Sequence, residues 1–140
     1  MIRGVDASDI ARALRLEPHA EGGLYRETFR SHTTVELPGW PGERSLATAI
    51  VYLLAAGERS APHRVRGDEL WLWQGGAPME LTVGDAVCLL GPDPDLGQEL
   101  QVLVPGGTWQ SATPAGGETS WSLAACVVTP GFDFADFELR

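Results

Sequence analysis

The chain contains no lysine and no asparagine. All ten basic residues are therefore arginine, and chemistry that runs through a lysine Schiff base has no nucleophile. Without asparagine, no Cys-His-Asn triad can be assembled. Cysteine is scarce too. Cys88 and Cys126 lie far apart in apolar stretches and read as buried small hydrophobes, not as a redox pair or a nucleophile. Positive charge is outweighed, leaving a formal net charge of −9. A surface so acidic repels phosphate backbones and anionic lipid, so neither nucleic acid nor a membrane surface is an expected partner. No apolar run approaches the length of a membrane-spanning helix, and residues 1–16 lack the uninterrupted apolar core of a secretion signal. A cytoplasmic location is the expectation. Gly22-Gly23 and Gly106-Gly107 are not followed by helical pattern, so no phosphate-cradling loop is expected. Polar chemistry is left to His19, His32, His63, the carboxylates, arginine, tyrosine and glutamine.

What is present is a globular composition. In 140 residues, 44% are hydrophobic and 21% charged, which fits one domain spanning 1–140 with a real core. The chain opens with a helical pattern. Asp6 or Ser8 can cap it, Val5, Ile10, Ala13 and Leu14 give an apolar stripe, and Pro18 with Gly22-Gly23 ends it. Beyond that point the helical period is gone. Strands are predicted at 24–31, 47–54, 69–74, 79–83, 86–90, 100–104, 109–112 and 120–129, separated by glycine and proline turns, with 35–45 read as a loop. Many short strands at roughly 8–12-residue spacing, without helix alternation, indicate a sandwich or barrel. The segment 130–140 carries Phe132, Phe134 and Phe137 among acids. It reads as an arm packed on the body or on a partner subunit, since three exposed phenylalanines invite aggregation.

The informative stretch is 57–76. A loop delivers His63 and a strand begins near Glu69. Alternation then places Glu69, Trp71 and Trp73 on one face and Leu70, Leu72 and Gln74 on the other. A carboxylate sharing a face with two indoles is partly desolvated. Desolvation raises its pKa toward the range useful for proton transfer at neutral pH.

The spacing of Gly57, His63, Val65, Glu69 and Gly76 resembles the first motif of the cupins, and Pro105, Gly107 and Gln110 resemble the second. More narrowly, the chain is similar to a family of small single-domain cupins of unassigned activity. The likeness rests on a PHPEGGYYRETYRS-like opening at 18–31, a STAIYFLL-like strand at 45–54, the 62–76 segment, a VPAGxWQ-like turn at 104–110 and a PGFDFxDFEL-like end at 130–139. It covers the chain from about residue 8 onward. The resemblance implies an all-β fold: a double-stranded β-helix, or jelly roll, with a ligand pocket inside the barrel, here preceded by a short N-terminal helix. It also implies a homodimer.

Two departures from the family pattern matter. Metal-binding cupins typically present three histidines and one glutamate. Here His63 and Glu69 remain, but Val65 and Gln110 occupy the other two positions. One imidazole, one carboxylate and one amide oxygen (His63, Glu69, Gln110) make a poor set for a divalent metal, so no cofactor is expected. The WHFH-like segment of the family reads Trp71-Leu72-Trp73-Gln74, with both histidines gone, which bears on whether the substrate of the relatives is kept.

The site expectations follow from these residues. His63 is a candidate general acid or base, against a loop histidine held by a local hydrogen bond. Glu69 is its partner, or a structural carboxylate bonded to arginine. Gln110 orients a ligand, or is satisfied in the core. Arg26 grips an anionic substrate group, or pairs with Glu27, Glu21 or Glu69. Tyr52, Trp71 and Trp73 are candidate ligand-binding walls, with core packing as the alternative. His19 reads as a turn residue and His32 as exposed. The leading expectation is a metal-independent acid–base enzyme of isomerase, epimerase, cyclase or lyase type, acting on a polar small molecule. The alternatives are a non-catalytic metabolite-binding cupin and a metal-dependent oxygenase or isomerase.

Overall fold

The computed structural model describes residues 6–116 and 120–140. Helix α1 (Ala7–Leu14) begins at Asp6, whose side chain accepts from the Asp9 backbone N–H while the Asp9 side chain accepts from the Asp6 backbone N–H. It ends at Arg15 in the left-handed region, three residues before Pro18. The packed stripe is Ala7, Ile10, Ala11 and Leu14. Ala13 is exposed, one position off the expected face, and Val5 lies outside the described residues.

The strands follow in order: β1 (Glu17–Pro18), β2 (Leu24–Arg30), β3 (Thr34–Glu36), β4 (Glu43–Ser45), β5 (Thr48–Leu54), β6 (Ser60–Arg64) and β7 (Asp68–Gly76). Then come β8 (Met79–Val83), β9 (Ala86–Leu90), β10 (Gln98–Glu99), β11 (Gln101–Val104), β12 (Gln110–Pro114), β13 (Ser122–Thr129) and β14 (Glu138–Leu139). Two six-stranded sheets, ordered β1-β2-β5-β13-β7-β11 and β10-β9-β8-β12-β6-β14, form a jelly-roll barrel. Two expectations are corrected. Segment 35–45 is not all loop, because β3 and β4 pair as a small ribbon with Val35 opposite Arg44. His63 does not sit on a loop either; it lies in β6, paired with Gln110 of β12 and Leu139 of β14. Pro62 and the charged neighbours hid that strand, since β6 spends Pro62 where no β-propensity signal survives.

Inward-facing residues of the first sheet stack in rungs, because antiparallel partners share a face. Thr48, Val128, Glu69 and Val104 make one rung. Ile50, Cys126, Trp71 and Val102 make the next, and Tyr25, Tyr52, Ala124 and Trp73 the third. Toward the third rung the barrel is filled by Leu54, Met79, Leu81, Leu90 and Ala112, all buried. Toward the first rung it is hollow. On the outer side of the first sheet, Ile10 of α1 packs with Leu53 and Leu123.

Candidate functional site

A cavity of about 320 Å³ occupies the hollow end. Its floor is Trp71, Tyr52 and Cys126, its wall includes Glu69 and Val65, and its mouth is edged by Glu27, Arg30, Phe132, Asp133 and Phe134. The turn between β1 and β2 supplies two further polar groups, His19 and Glu21. That turn is closed by the His19 N–H donating to the Gly23 carbonyl and the Gly22 N–H donating to the His19 carbonyl, both at 3.0 Å. It hooks onto β6 through the Ala61 N–H and the Glu21 carbonyl at 2.7 Å. Gly22 is required there: its φ is +107°, and a Cβ would run into the Arg59 carbonyl oxygen.

Glu21 is the centre of a buried cluster. Its carboxylate accepts a short hydrogen bond from the Ser60 hydroxyl. Its Oε1 lies 3.5 Å from His63 Nε2 and 3.4 Å from His19 Nδ1. The tautomers follow from the neighbours. His63 Nδ1 lies 2.7 Å from the Ala61 carbonyl, which can only accept, so Nδ1 carries the proton and Nε2 presents a lone pair to Glu21. His19 Nδ1 accepts from the Glu21 backbone N–H at 3.1 Å, so it too turns a lone pair toward the carboxyl. Burial disfavours charge on all of these groups. It holds His19 down at about 4 and lowers His63, and it pushes Glu21 up to about 7. The neutral carboxyl is thus the natural donor to His63 Nε2.

Glu69 is the second buried acid, 7% exposed. Burial and the neighbouring Glu21 raise it to about 7, against weaker lowering by His63, Gln110 and the Cys126 thiol. Its orientation is fixed from behind. The Trp71 Nε1–H donates to Gln110 Oε1 at 2.9 Å, and an indole N–H can only donate, so the Gln110 amide must turn Nε2 to Glu69 Oε1, also at 2.9 Å. Cys126 Sγ, itself held as a neutral thiol by burial, flanks the same carboxyl.

The structure brings together Glu69, Trp71 and Tyr52 in the cavity wall. His63 is fully buried behind Glu21, with the Phe137 ring 5.6 Å from its own, and does not line the cavity. Gln110 also lies behind the wall, both ends of its amide engaged. Trp73 shares the face of Glu69 and Trp71 as alternation requires, but it packs on the core and does not line the cavity, although Tyr25 and Tyr52 of the same rung do. Tyr52 donates its hydroxyl to the Gly22 carbonyl at 2.5 Å. Arg26 is elsewhere: its Nε donates to the Leu14 carbonyl at the end of α1, and it meets neither the cavity nor the three glutamates considered for it. Sequence reading missed Glu21 and the cavity position of His19. Both sit in a His-x-Glu-Gly-Gly turn whose glycines read as a helix terminator. A carboxylate held in a glycine turn next to a histidine two residues away was the available signal.

The residues at the cupin metal positions do not fit a metal ion. Val65 has no lone pair, the Gln110 amide oxygen already accepts from Trp71, and His63 Nε2 faces the Glu21 carboxyl. Among the described residues, no group of three or more His, Cys, Asp or Glu is disposed to hold one.

The segment 130–140 folds over the mouth. Phe132, Phe134 and Phe137 pack edge-to-face on one another and around His19. Asp136 is anchored by the buried Arg44 guanidinium through two bonds, at 2.8 and 2.9 Å. Phe134 nonetheless remains 53% exposed at the rim.

No helix among the described residues is long and apolar enough to cross a membrane. No curated protein matches the chain by sequence. Among solved structures, a hypothetical protein from Leishmania major is 32% identical over 97% of this chain and 88% of that one, with a TM-score of 0.89. A protein from Shewanella oneidensis is 35% identical over 97% and 85%, with a TM-score of 0.86. KdgF from a Halomonas species shares the fold alone, at 14% identity over 86% and 89% and a TM-score of 0.61. The model of the family described as Cupin superfamily (DUF985) matches residues 8–140, and with the barrel and the two close structural relatives this places the chain in that family of cupins.

Proposed function

We propose that this cupin is a metal-independent enzyme that moves protons on a polar small molecule held in the barrel, an isomerase- or lyase-type reaction. The observation that carries the reading is the pair of buried carboxyls, Glu21 and Glu69, both lining one cavity and both raised to about 7. Burial raises both, and the charge on Glu21 raises Glu69 further, so near neutral pH each carboxyl is partly protonated. One carboxylate is then a base and the other carboxyl an acid, on the same substrate and at the same pH.

Glu69 is the catalytic group, held at one oxygen by Gln110. Glu21 is the complementary group, and His63 and Ser60 are its positioning residues. His63 Nε2 presents its lone pair to the protonated Glu21 and so orients that carboxyl. The role first expected of His63 at the substrate passes to Glu21, because Glu21 lines the cavity and the imidazole does not. Trp71, Tyr52 and Phe132 exclude water. A cytoplasmic setting suits the two free thiols, Cys88 and Cys126.

The test is hydrogen–deuterium exchange into carbon-bound positions of a panel of polar carbonyl and hydroxy compounds. It is followed by proton NMR in D2O with protein first dialysed against chelator. The expected result is exchange or isomerisation of at least one compound class that survives chelation. Glu69→Gln should reduce it by about 10²–10⁴-fold while circular dichroism is unchanged. Binding without exchange in the wild-type protein would overturn the enzymatic reading in favour of a metabolite-binding cupin. Activity restored only by added metal would overturn the metal-independent one.

A further inference from the structure

Resting on the proposal that this cavity binds and turns over a small molecule, we infer that its ligand carries a cationic amine or amidine group, which is seated against Glu69 and Glu21 between aromatic walls. The charge inventory of the cavity excludes the anionic alternative. Four carboxyl groups line it: Glu21 and Glu69 within, and at the mouth Glu27, paired with Arg30, and Asp133, 4.0 Å from Arg44, so the two inner acids are the ones left for a ligand. Among the described residues, Arg30 is the one arginine in the lining. Its guanidinium is already engaged, with Nε and Nη2 on the two oxygens of Glu27 at 2.7 and 2.9 Å and Nη2 also on the Phe132 carbonyl at 3.1 Å. Arg26, the sequence's candidate for gripping an anion, is tied to α1. Burial works against a cation at either imidazole: it holds His19 down at about 4 and lowers His63. A carboxylate or phosphate entering here would meet acids and no free cation.

The walls suit the opposite charge. Tyr25, Tyr52, Trp71, Phe132 and Phe134 surround the space, and aromatic faces attract ammonium and guanidinium groups, more strongly when water is excluded. Glu69 has an opening for such a group. Among the described residues Gln110 is its one amide donor, at Oε1, and the Cys126 thiol beside it is a weak donor. Its second oxygen is left for a ligand N–H.

A pH signature follows from the groups around the two acids. Glu69 faces Cys126 of β13, Gln110 of β12, His63 of β6 and Glu21. Glu21 faces Ser60 and His63 of β6, Tyr52 of β5 and His19 of its own turn. Ser60, Gln110, Tyr52 and Cys126 carry no charge between pH 6 and 8, and burial lowers both imidazoles. Cation affinity therefore rises with pH as the carboxyl pair ionises.

Three isosteric probes decide it: benzylamine, benzyl alcohol and benzoate, titrated calorimetrically into the wild-type protein and the Glu69→Gln variant at pH 6 and pH 8. Benzylamine is expected to bind at least tenfold more tightly than either isostere at pH 8. It should gain several-fold from pH 6 to pH 8 and lose about tenfold in Glu69→Gln. Benzyl alcohol or benzoate binding as tightly as benzylamine, or a benzylamine affinity that is flat between the two pH values, would overturn the inference. The outcome is separable from that of the proton-transfer reading. Amine binding without turnover leaves the ligand class standing and removes the enzyme, whereas turnover of uncharged or anionic compounds with no amine binding does the reverse.

Discussion

The two ends of the barrel are built from the same strands and do opposite things. At the filled end the inward positions of β5, β7, β8 and β13 are Leu54, Trp73, Leu81 and Ala124, which interlock without leaving room for a ligand. Four residues away on β7 and β13, and six away on β5, the inward positions are Glu69, Val128 and Thr48, and the space between the sheets is left open. The filled end contributes apolar burial, at roughly 25 cal/mol per Å² of surface removed from water. The hollow end gives some of that up and keeps two acids in a desolvated setting, which raises their pKa and costs stability once they ionise. Stability and chemistry are thus separated along the barrel axis, with Tyr52, Trp71 and Cys126 forming the boundary layer that belongs to both.

The separation can be broken most forcefully at the filled end. Leu81→Ala leaves a cavity where no exposure existed, and urea unfolding should show a loss of about 2–5 kcal/mol with the acid–base site unchanged. A comparable loss from Ile50→Val in the hollow end would contradict the picture; about 1 kcal/mol is expected there.

The hollow end is sharpened by pH. Glu69 is raised from 4.5 to about 7, so the folded chain holds its proton more tightly than the unfolded chain. That stabilisation is complete below about pH 4.5 and is lost as pH rises through about 7. The Glu69→Gln variant keeps a neutral side chain throughout. It should therefore gain on the wild type between pH 5 and pH 8, by up to about 3 kcal/mol in parallel denaturant titrations. His19 acts in the opposite sense: lowered to about 4, it contributes stability above about 6.5 that is lost as pH falls through about 4. For that reason the difference between variant and wild type, and not the wild-type curve, isolates Glu69. A difference that shrinks with rising pH would refute the assignment.

The cover of the hollow end has a smaller effect. Arg44→Ala removes the bidentate hold on Asp136 and leaves Arg66, at 3.4 Å, as its remaining partner. Local opening of the C-terminal segment should become easier by about 2 kcal/mol, read as faster amide exchange at Phe137 and Leu139 with β5 and β13 unaffected. Least of all, Val87→Ala on the outer surface should move global stability by less than about 0.5 kcal/mol.

The sequence was legible where period and turns carry the information. Alternation placed Glu69, Trp71 and Trp73 on one face because a strand has no other option. It could not say that Trp73 packs on the core while Tyr25 and Tyr52 of its own rung meet the cavity, since which members of a rung reach a hollow is set by tertiary packing. The His63 strand was hidden by Pro62, and the β3–β4 ribbon by its prolines and glycines. Glu21 was illegible for a different reason. Its chemistry comes from a turn held against β6 by one backbone hydrogen bond, and nothing local distinguishes that turn from an ordinary chain reversal. Arg26 shows the converse: a guanidinium on a strand looks available for a substrate until the fold brings the end of α1 to it.

The central claim is that the hollow end holds two carboxyls poised near neutral pH, and side-chain carboxyl carbon-13 NMR tests it most directly. Titration of the wild type, Glu21→Gln and Glu69→Gln from pH 3 to pH 9 should show both glutamates ionising near 7 in the wild type. Glu69 should titrate lower once Glu21 is replaced, because the charge on Glu21 is among the causes that raise it. Two carboxyls titrating near 4.5 in the wild type, unmoved by either substitution, would contradict the account.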